Sequence, residues 1–317
     1  MDSEQRTQEL KGSLAAILCY VFWGLAPLYW KLLDDVNSFE IIGQRIIWCF
    51  VLMVIICAAM RINFLDLLKD KRALAYLGPA AILISINWGV YIYAVATDRV
   101  VHTAMGYYCN PLVSILFGVV FFKEKLTNMQ KAAVGLCMAG VLYFLFDYGE
   151  FPWITLVLAL SFGAYGAVKK KGSYPAVPAL AVESTLALPL AIGVCVATAY
   201  ITGSHAFMGD VSTVDGWVLT LLVIGAGPVT AIPLVLFAQA ANSMPLSLLG
   251  FIQYVSPTIA LLLGVFAFGE PFTPAHAVCF GCIWSGLALV SIETMRAGKK
   301  AKLEAAENAS DEEASAQ

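Results

Sequence analysis

The chain has 317 residues, of which 60% are hydrophobic and 13% are charged. A soluble domain carries about 25% charged residues, so this composition excludes an ordinary water-soluble globular protein. The formal net charge is −3, which gives no reason to expect a nucleic-acid partner. The apolar residues occur in long blocks, and a membrane-spanning helix needs roughly 20 such residues. The composition therefore predicts an all-α integral membrane protein.

Ten apolar blocks are candidate transmembrane helices, because polar or charged loop residues separate them. The blocks are 12–33, 40–60, 74–96, 102–122, 129–146, 152–169, 178–200, 216–240, 246–268 and 275–295. The first block is longer than the apolar region of a signal peptide and lacks a small-residue cleavage site. We interpret it as a span that the mature protein keeps.

The distribution of loop charges predicts the orientation. With the N-terminus in the cytoplasm, 16 of the 19 Lys and Arg residues fall in cytoplasmic segments. Only Lys31 and Arg99 fall in outer loops, and Arg45 lies within a span. Basic residues favour the cytoplasmic side of a membrane. The pattern predicts a multi-pass protein of the cytoplasmic membrane with both termini in the cytoplasm. It also supports ten spans, because one span more or fewer would move all downstream loops to the other side of the membrane and remove the charge bias.

The sequence repeats itself at a shift of 146 residues. Between 108–140 and 254–286, 10 of 33 aligned positions are identical. Similarity at one fixed shift indicates a duplicated unit. Because each unit has five spans, the second enters the membrane in the opposite orientation, as in many secondary transporters. Duplication within a channel or a scaffold is the alternative interpretation.

These patterns divide the chain into four predicted segments. They are a cytoplasmic N-terminal segment at 1–11, a first five-helix repeat at 12–146, a second, inverted five-helix repeat at 147–295, and a cytoplasmic tail at 296–317. The tail is rich in Ala, Glu, Lys and Ser and has little apolar surface to bury, so we predict that it is disordered.

Polar and aromatic side chains at membrane depth are candidates for a substrate cavity, because lipid offers them no hydrogen-bond partner. Asn87 and Tyr91 are four residues apart and share a helix face, and Tyr107 and Asn110, three apart, do so too. The full set is Asn87, Trp88, Tyr91, Tyr107, Tyr108, Asn110, Gln239, Gln253 and Tyr254. Such side chains suit an amphipathic organic solute better than an inorganic ion. The alternative is that they only join helices through hydrogen bonds.

Three charged residues fall inside spans or near their ends, namely Glu40, Arg45 and Glu183. An arginine at the bilayer centre costs about 2.5–3.5 kcal/mol on insertion scales. Arg45 should therefore face the cavity or bind a carbonyl group of a neighbouring helix. Glu40 and Glu183 are candidates for a proton site, or they cap the N-termini of their helices.

Proline positions predict helix bends. Pro27, Pro111 and Pro257 lie within spans, where proline removes a hydrogen bond and bends the helix. Because Pro111 and Pro257 are repeat mates, the bends in the fourth and ninth spans are predicted to be symmetric. The eight Cys lie in apolar stretches and the three His have no metal-ligand spacing, so we predict no disulfide, no metal site and no cofactor.

Five motifs along the chain are distinctive, namely WGLAPLYWK at 23–31, EIIGQR at 40–45, NWGVYIYAV at 87–95, GYYCNPL at 106–112 and FIQYVSPT at 251–258. Together they resemble RarD-type members of the EamA family, within the drug/metabolite transporter superfamily. The resemblance covers roughly residues 12–293. It implies a ten-helix permease, often an exporter of metabolites or drugs. It also implies a central cavity lined by helices 3, 4, 8 and 9 with parts of helices 1 and 6.

We therefore predict a secondary transporter, not an enzyme, that moves a small organic metabolite or drug-like solute across the lipid bilayer by alternating access. A homodimer is an open alternative to a monomer. A membrane enzyme acting on a lipid or isoprenoid would need clustered acidic or His residues, which this sequence lacks. A non-transporting scaffold is the remaining alternative, and it fits the inverted duplication and the polar residues at membrane depth less well.

Overall fold

The computed structural model describes residues 3–97, 99–149, 151–203, 206–208 and 212–315. Within these residues the chain is helical and contains no strand. The helices are α1 (Ser3–Trp30), α2 (Ser38–Ala59), α3 (Leu65–Lys69), α4 (Lys71–Ala96), α5 (Val100–Phe122), α6 (Asn128–Tyr148), α7 (Trp153–Gly172), α8 (Ala176–Thr202), α9 (Val214–Ser243), α10 (Leu246–Gln253), α11 (Val255–Ala267) and α12 (Pro274–Ser315).

The ten predicted spans correspond to ten helical segments, with α10 and α11 together forming the ninth. Within the described part of the chain, nine segments are long and apolar enough to cross a membrane. The sixth span, α7, is not among them because three lysines occupy its last turn. Its 20 residues still reach about 30 Å, the thickness of the hydrocarbon layer. The all-α, ten-helix fold is therefore confirmed.

Helix starts follow local capping chemistry. The side chains of Asn37 and Asp70 each accept a hydrogen bond from a backbone N–H at the start of α2 and α4. Thr127 and Gln130 form a reciprocal capping box at the start of α6. These bonds satisfy N–H groups that have no partner within the helix.

Two helical segments lie outside the predicted spans. The short helix α3 lies in the loop between the second and third spans. The helix α12 continues beyond the tenth span to Ser315, into the segment for which the composition predicts disorder. Ala, Glu and Lys are among the strongest helix formers, so the composition that gives the tail nothing to bury also favours continuation of the helix. Residues 316 and 317 lie outside the described part.

The chain divides into two compact units. The first contains α1–α5 and α7–α11, and the second contains α6 and α12. Within the first unit, α2 packs against α8 and α9, α5 against α7 and α10, and α1 against α9 and α11. All of these helices except α8 line the cavity described below.

The duplication is visible in matched backbone geometry. The N–H of Glu124 bonds to the carbonyl of Gly118 at 3.2 Å, and 146 residues later the N–H of Glu270 bonds to that of Gly264 at 2.9 Å. A Cβ atom at Gly118 would lie 2.5 Å from Glu124 Oε2, and one at Gly264 would lie 2.6 Å from Glu270 Oε2. The same glycine thus makes room for the same carboxylate in each half.

Packing between helices is duplicated in the same way. A Cβ atom at Gly24 in α1 would meet Ile259 at 2.7 Å, and one at Gly163 in α7 would meet Val113 at 2.5 Å. Val113 and Ile259 are repeat mates at the shift of 146, and Gly24 and Gly163 follow Trp23 and Phe162, respectively. The first helix of each half therefore touches the fourth helix of the other half at equivalent points.

The second unit has its own matched contacts. A Cβ atom at Gly140 would lie 2.9 Å from the carbonyl oxygen of Cys279, and one at Gly286 would lie 3.0 Å from that of Ala133. Both pairs of positions, 140 with 286 and 133 with 279, differ by 146. Close contact through small residues is a common way of packing helices in membranes.

A cavity lined by aromatic residues and one arginine

A cavity of about 370 Å³ lies within the first unit. It follows α1 from Tyr20 to Trp30, which corresponds to about 15 Å along the helix axis. One end reaches the loop between α1 and α2, at Asp34 and Ser38, and we call this the Asp34 end. The lining comes from α1, α2, α4, α5, α7, α9, α10 and α11, so both halves of the duplicated fold contribute to it.

Arg45 lies in the wall of the cavity, seven residues after the start of α2. Its Nε donates a hydrogen bond to Thr230 Oγ1 of α9 at 3.0 Å. Its guanidinium carbon lies over the rings of Trp88, at 4.7 Å from the centroid, and Trp30, at 5.2 Å. Among the described residues, no carboxylate lies within salt-bridge distance of it. The cation is held by a hydroxyl group and two aromatic faces.

Two predicted cavity residues line the cavity and also join helices. Asn87 Nδ2 donates to the carbonyl oxygen of Leu158 at 2.9 Å and to Ser161 Oγ at 3.0 Å. Gln253 Oε1 accepts a hydrogen bond from Ser114 Oγ at 3.1 Å. The two interpretations of these amides, cavity lining and helix joining, therefore apply to the same residues.

The other predicted cavity residues divide into two groups. Trp88, Tyr91, Tyr107 and Asn110 line the cavity, as do Arg45, Pro27 and Pro257. Tyr108, Tyr254 and Gln239 do not. Tyr108 and Tyr254 are buried, and Gln239 is exposed on the opposite side of its helix from buried Phe237. Adjacent residues point about 100° apart on a helix, so Tyr107 and Tyr108 face different surroundings.

The resemblance implied that part of helix 1 lines the cavity, but Tyr20, Trp23 and Trp30 of α1 were not among the predicted cavity residues. Tyr20, Trp23, Pro27 and Trp30 all line the cavity. They are spaced by three, four and three residues, which places them along one face of a helix. That spacing, with three aromatic residues in it, is a signal that sequence alone could have provided.

An aromatic layer lies at the end of the cavity away from Asp34. It consists of Tyr20, Trp23, Phe162, Tyr165 and Phe237, with ring centroids 5.1–6.0 Å apart in the pairs that touch. Tyr165 and Phe237 are stacked at 16° between ring planes. Contacts of this kind contribute about 0.5–1.5 kcal/mol beyond the burial of their surface. Tyr20, Trp23 and Phe162 line the cavity, whereas Tyr165, on the far side of the layer, bonds to Glu183.

A buried ion pair lies beyond the aromatic layer, at what we call the Lys169 end. Lys169 Nζ of α7 is 2.6 Å from Glu183 Oε1 of α8, and both residues are at most 5% exposed. The hydroxyl group of Tyr165 donates to the other carboxylate oxygen at 3.0 Å. Glu183 is the eighth residue of α8, so it does not cap that helix. It joins α8 to α7 instead.

A second set of polar contacts closes the same end. The carboxylate of Glu124 accepts hydrogen bonds from the backbone N–H groups of Leu246 and Ser247, at 2.7 and 2.8 Å. These groups belong to the first turn of α10, where a helix favours negative charge. Lys170 Nζ lies 3.8 Å from Glu124 and donates to the carbonyl oxygen of Met244 at 2.6 Å.

Glu40 has a different role from its predicted counterpart Glu183. It lies in the first turn of α2, and its Oε1 accepts a hydrogen bond from the backbone N–H of Ala206 at 2.6 Å. It therefore holds the connection between α8 and α9 and is not part of the cavity wall.

The prolines do not produce a symmetric pair of breaks. The ninth span is divided at Tyr254, close to Pro257, whereas α5 continues unbroken across Pro111, and α1 continues across Pro27. The break allows α10 to pack against α5 while α11 packs against α1. The fourth span has no such division of contacts and remains one helix.

Comparison with known proteins agrees with this architecture. Residues 10–146 and 152–292 each match the model of the EamA-like transporter family. The uncharacterized transporter YojE of Bacillus subtilis (strain 168) is 40% identical over 297 residues, which cover 92% of this chain and 97% of that protein. Protein RarD of Escherichia coli (strain K12) is 37% identical, covering 93% and 97%. A solved crystal structure with 17% identity superposes with a TM-score of 0.67 over 89% of this chain, which supports the fold alone.

The ten helices, the duplicated halves and the matches define a multi-pass membrane transporter. The chain belongs to the EamA-like transporter family, as a RarD-type member. The two matched ranges correspond to the two halves that the shift of 146 residues indicates.

Proposed function

We propose that this protein is a secondary transporter that moves a small organic solute through the cavity by alternating access. In the state described here, the cavity is accessible from the Asp34 end and closed at the Lys169 end. The observation that carries the proposal is the structural difference between the two ends of the cavity. The cavity reaches a loop at one end, and it stops at an aromatic layer and a buried ion pair at the other.

The repeat mates Glu124 and Glu270 support the same interpretation. Their backbone surroundings are alike, yet Glu124 is bonded to the first turn of α10 whereas Glu270 is exposed. In an inverted duplication, the two mates lie at opposite ends of the molecule. One carboxylate bonded to a neighbouring helix and its mate exposed is an asymmetry that fits one state of an alternating-access cycle.

Charge supports the assignment of sides. The Lys169 end carries Lys169, Lys170 and Lys171, and basic residues favour the cytoplasm. We infer that the Lys169 end faces the cytoplasm and that the Asp34 end faces outward, with the protein in the cytoplasmic membrane. The cavity size suits a small organic molecule, because ligand pockets usually measure about 300–1,000 Å³.

The direct test uses the purified protein in liposomes. Uptake of a panel of radiolabelled organic solutes is measured with and without a pH gradient, and also as exchange against internal unlabelled solute. Saturable uptake that empty liposomes lack is the expected result, and acceleration by internal solute identifies a carrier. Folded, correctly inserted protein that moves no solute of the panel would refute the proposal. Flux without saturation would indicate a channel instead.

A further inference from the structure

Arg45 is the sole cation among the described residues that line the cavity, and Asp34, at the open end, is the sole acid. The wall therefore has a net charge near zero, but its charges are separated. The positive one lies inside, between the aromatic faces of Trp88 and Trp30, and the negative one lies at the entrance. A solute that enters the cavity meets a half-buried positive charge.

The hydrogen bonds of Arg45 are incomplete. A guanidinium group has five N–H donors in one plane. Nε donates to Thr230, and the two terminal nitrogens donate to no other described residue. The guanidinium carbon lies over the ring faces of Trp88 and Trp30, which attract a cation. An aromatic face has no oxygen or nitrogen lone pair, so the two rings are not the strong hydrogen-bond acceptors that the terminal N–H groups need.

The unmet donors point to a specific class of ligand. A carboxylate matches the paired N–H groups of arginine, and the two parallel hydrogen bonds of this bidentate pair add to the charge attraction. A neutral solute would leave the charge unpaired in a desolvated cavity, and a cation would be repelled by it. The surrounding Trp23, Trp88 and Tyr91 offer apolar faces for the rest of such a molecule.

We propose that the cavity binds an organic acid, whose carboxylate pairs with the terminal nitrogens of Arg45 and whose apolar or aromatic body lies against the tryptophans. This inference rests on the proposed function, since it names the substrate class of the same cavity. Thr230 is a positioning residue here. Its hydroxyl group accepts from Nε, donates to the carbonyl oxygen of Ala226 at 2.8 Å, and so directs the terminal nitrogens toward the cavity.

The test measures binding, not transport, so that it can fail independently of the proposed function. The purified protein in nanodiscs of neutral lipid is titrated with matched pairs that differ in the carboxylate alone. The pairs are acetate and acetamide, phenylacetate and phenylacetamide, and indole-3-acetate and indole-3-acetamide. Isothermal titration gives the affinity, and quenching of tryptophan fluorescence gives a second readout where the probe does not absorb.

We expect at least one acid to bind tenfold or more tightly than its amide, and Arg45→Gln to abolish the difference. Arg45→Lys should retain part of it, because the charge remains while the paired geometry is lost. Lys31→Gln is the matched control, since Lys31 is an exposed cation paired with Asp34 near the entrance. It should leave the preference unchanged, which excludes general attraction between charges.

If the Arg45 variants fold poorly, the comparison of each acid with its amide in the unaltered protein still tests the inference. Equal affinity for acid and amide in all three pairs, or no binding of any acid, would overturn the inference. A preference that survives in folded Arg45→Gln would also overturn it. Saturable flux of neutral solutes, with no preference for acids, would support the transporter proposal and exclude an organic acid as the substrate class.

Discussion

Lys169 Nζ lies 2.6 Å from Glu183 Oε1 in a part of the protein where both side chains are almost completely buried. The pair joins α7 to α8 directly behind the aromatic layer that ends the cavity. Removing one partner of a buried pair leaves an uncompensated charge, which costs about 3–5 kcal/mol. The pair is therefore a sensitive point for both stability and closure.

Lys169→Met should destabilise the protein strongly, and Lys169→Met with Glu183→Gln should recover much of the loss. The double variant carries no buried charge, and its amide oxygen can still accept the hydrogen bond from Tyr165. Thermal unfolding in detergent, followed by circular dichroism, measures both. The idea of a buried charge pair fails if the double variant unfolds at the same temperature as Lys169→Met alone.

Glu124→Gln should favour opening of the Lys169 end. The neutral amide cannot accept the two N–H groups of α10 as strongly as the carboxylate does, and hydrogen bonds to charged groups are worth about 1.5–3 kcal/mol. Spin labels at Lys123 and Lys171, both exposed, report the distance across this end by pulsed electron resonance. The population at longer distance should increase.

Glu270→Gln is the matched control for that experiment, because Glu270 has the same relation to its glycine but is exposed. It should leave the distance distribution between the two labels unchanged or move it toward the closed population. If both variants lengthen the distance equally, the carboxylate of Glu124 is not the contact that holds the end closed.

Gly163→Ala should destabilise the protein by about 1–3 kcal/mol, the usual cost of overpacking. The added methyl group would lie 2.5 Å from Val113 Cγ1. Val113→Ala removes that atom and leaves Val113 Cβ at 3.3 Å, so the double variant should be more stable than Gly163→Ala alone. Unfolding temperatures that fall additively in the double variant would contradict this contact.

Trp88→Ala should lower solute flux in liposomes at least tenfold while the yield of folded protein stays similar. The indole holds the guanidinium of Arg45 and forms part of the cavity wall. Trp217→Ala is the control, because Trp217 is 50% exposed and lies away from the cavity. Equal losses of flux in the two variants, or a parallel loss of yield for Trp88→Ala, would favour a packing role.

The spans could be predicted from the sequence because their signals are local. A run of apolar residues must be long enough to cross the membrane, and its loops must place Lys and Arg on one side. The shift of 146 residues that aligns Glu124 with Glu270 can also be found from the sequence alone. The matched glycine contacts then give that alignment a structural basis.

The site was less accessible because its contacts join residues far apart in the chain. Arg45 and Thr230 are 185 positions apart, and neither local sequence indicates that their side chains form a hydrogen bond. Lys169 is the last residue of the predicted span 152–169, and only the fold brings it to Glu183 inside the protein. Gln239 shows the opposite error, since a polar residue within a span can simply occupy an exposed face.

Gly118 and Gly264 each make room for a glutamate carboxylate, and this matched arrangement has a consequence for how a protein of this fold can evolve. Under the proposed alternating-access mechanism, Glu124 and Glu270 would act on one conformational equilibrium from opposite ends of the protein, so equivalent substitutions at the two positions should bias it in opposite senses. A single substitution at either position could then shift the preferred resting state while leaving the cavity, and the solute specificity it sets, unchanged.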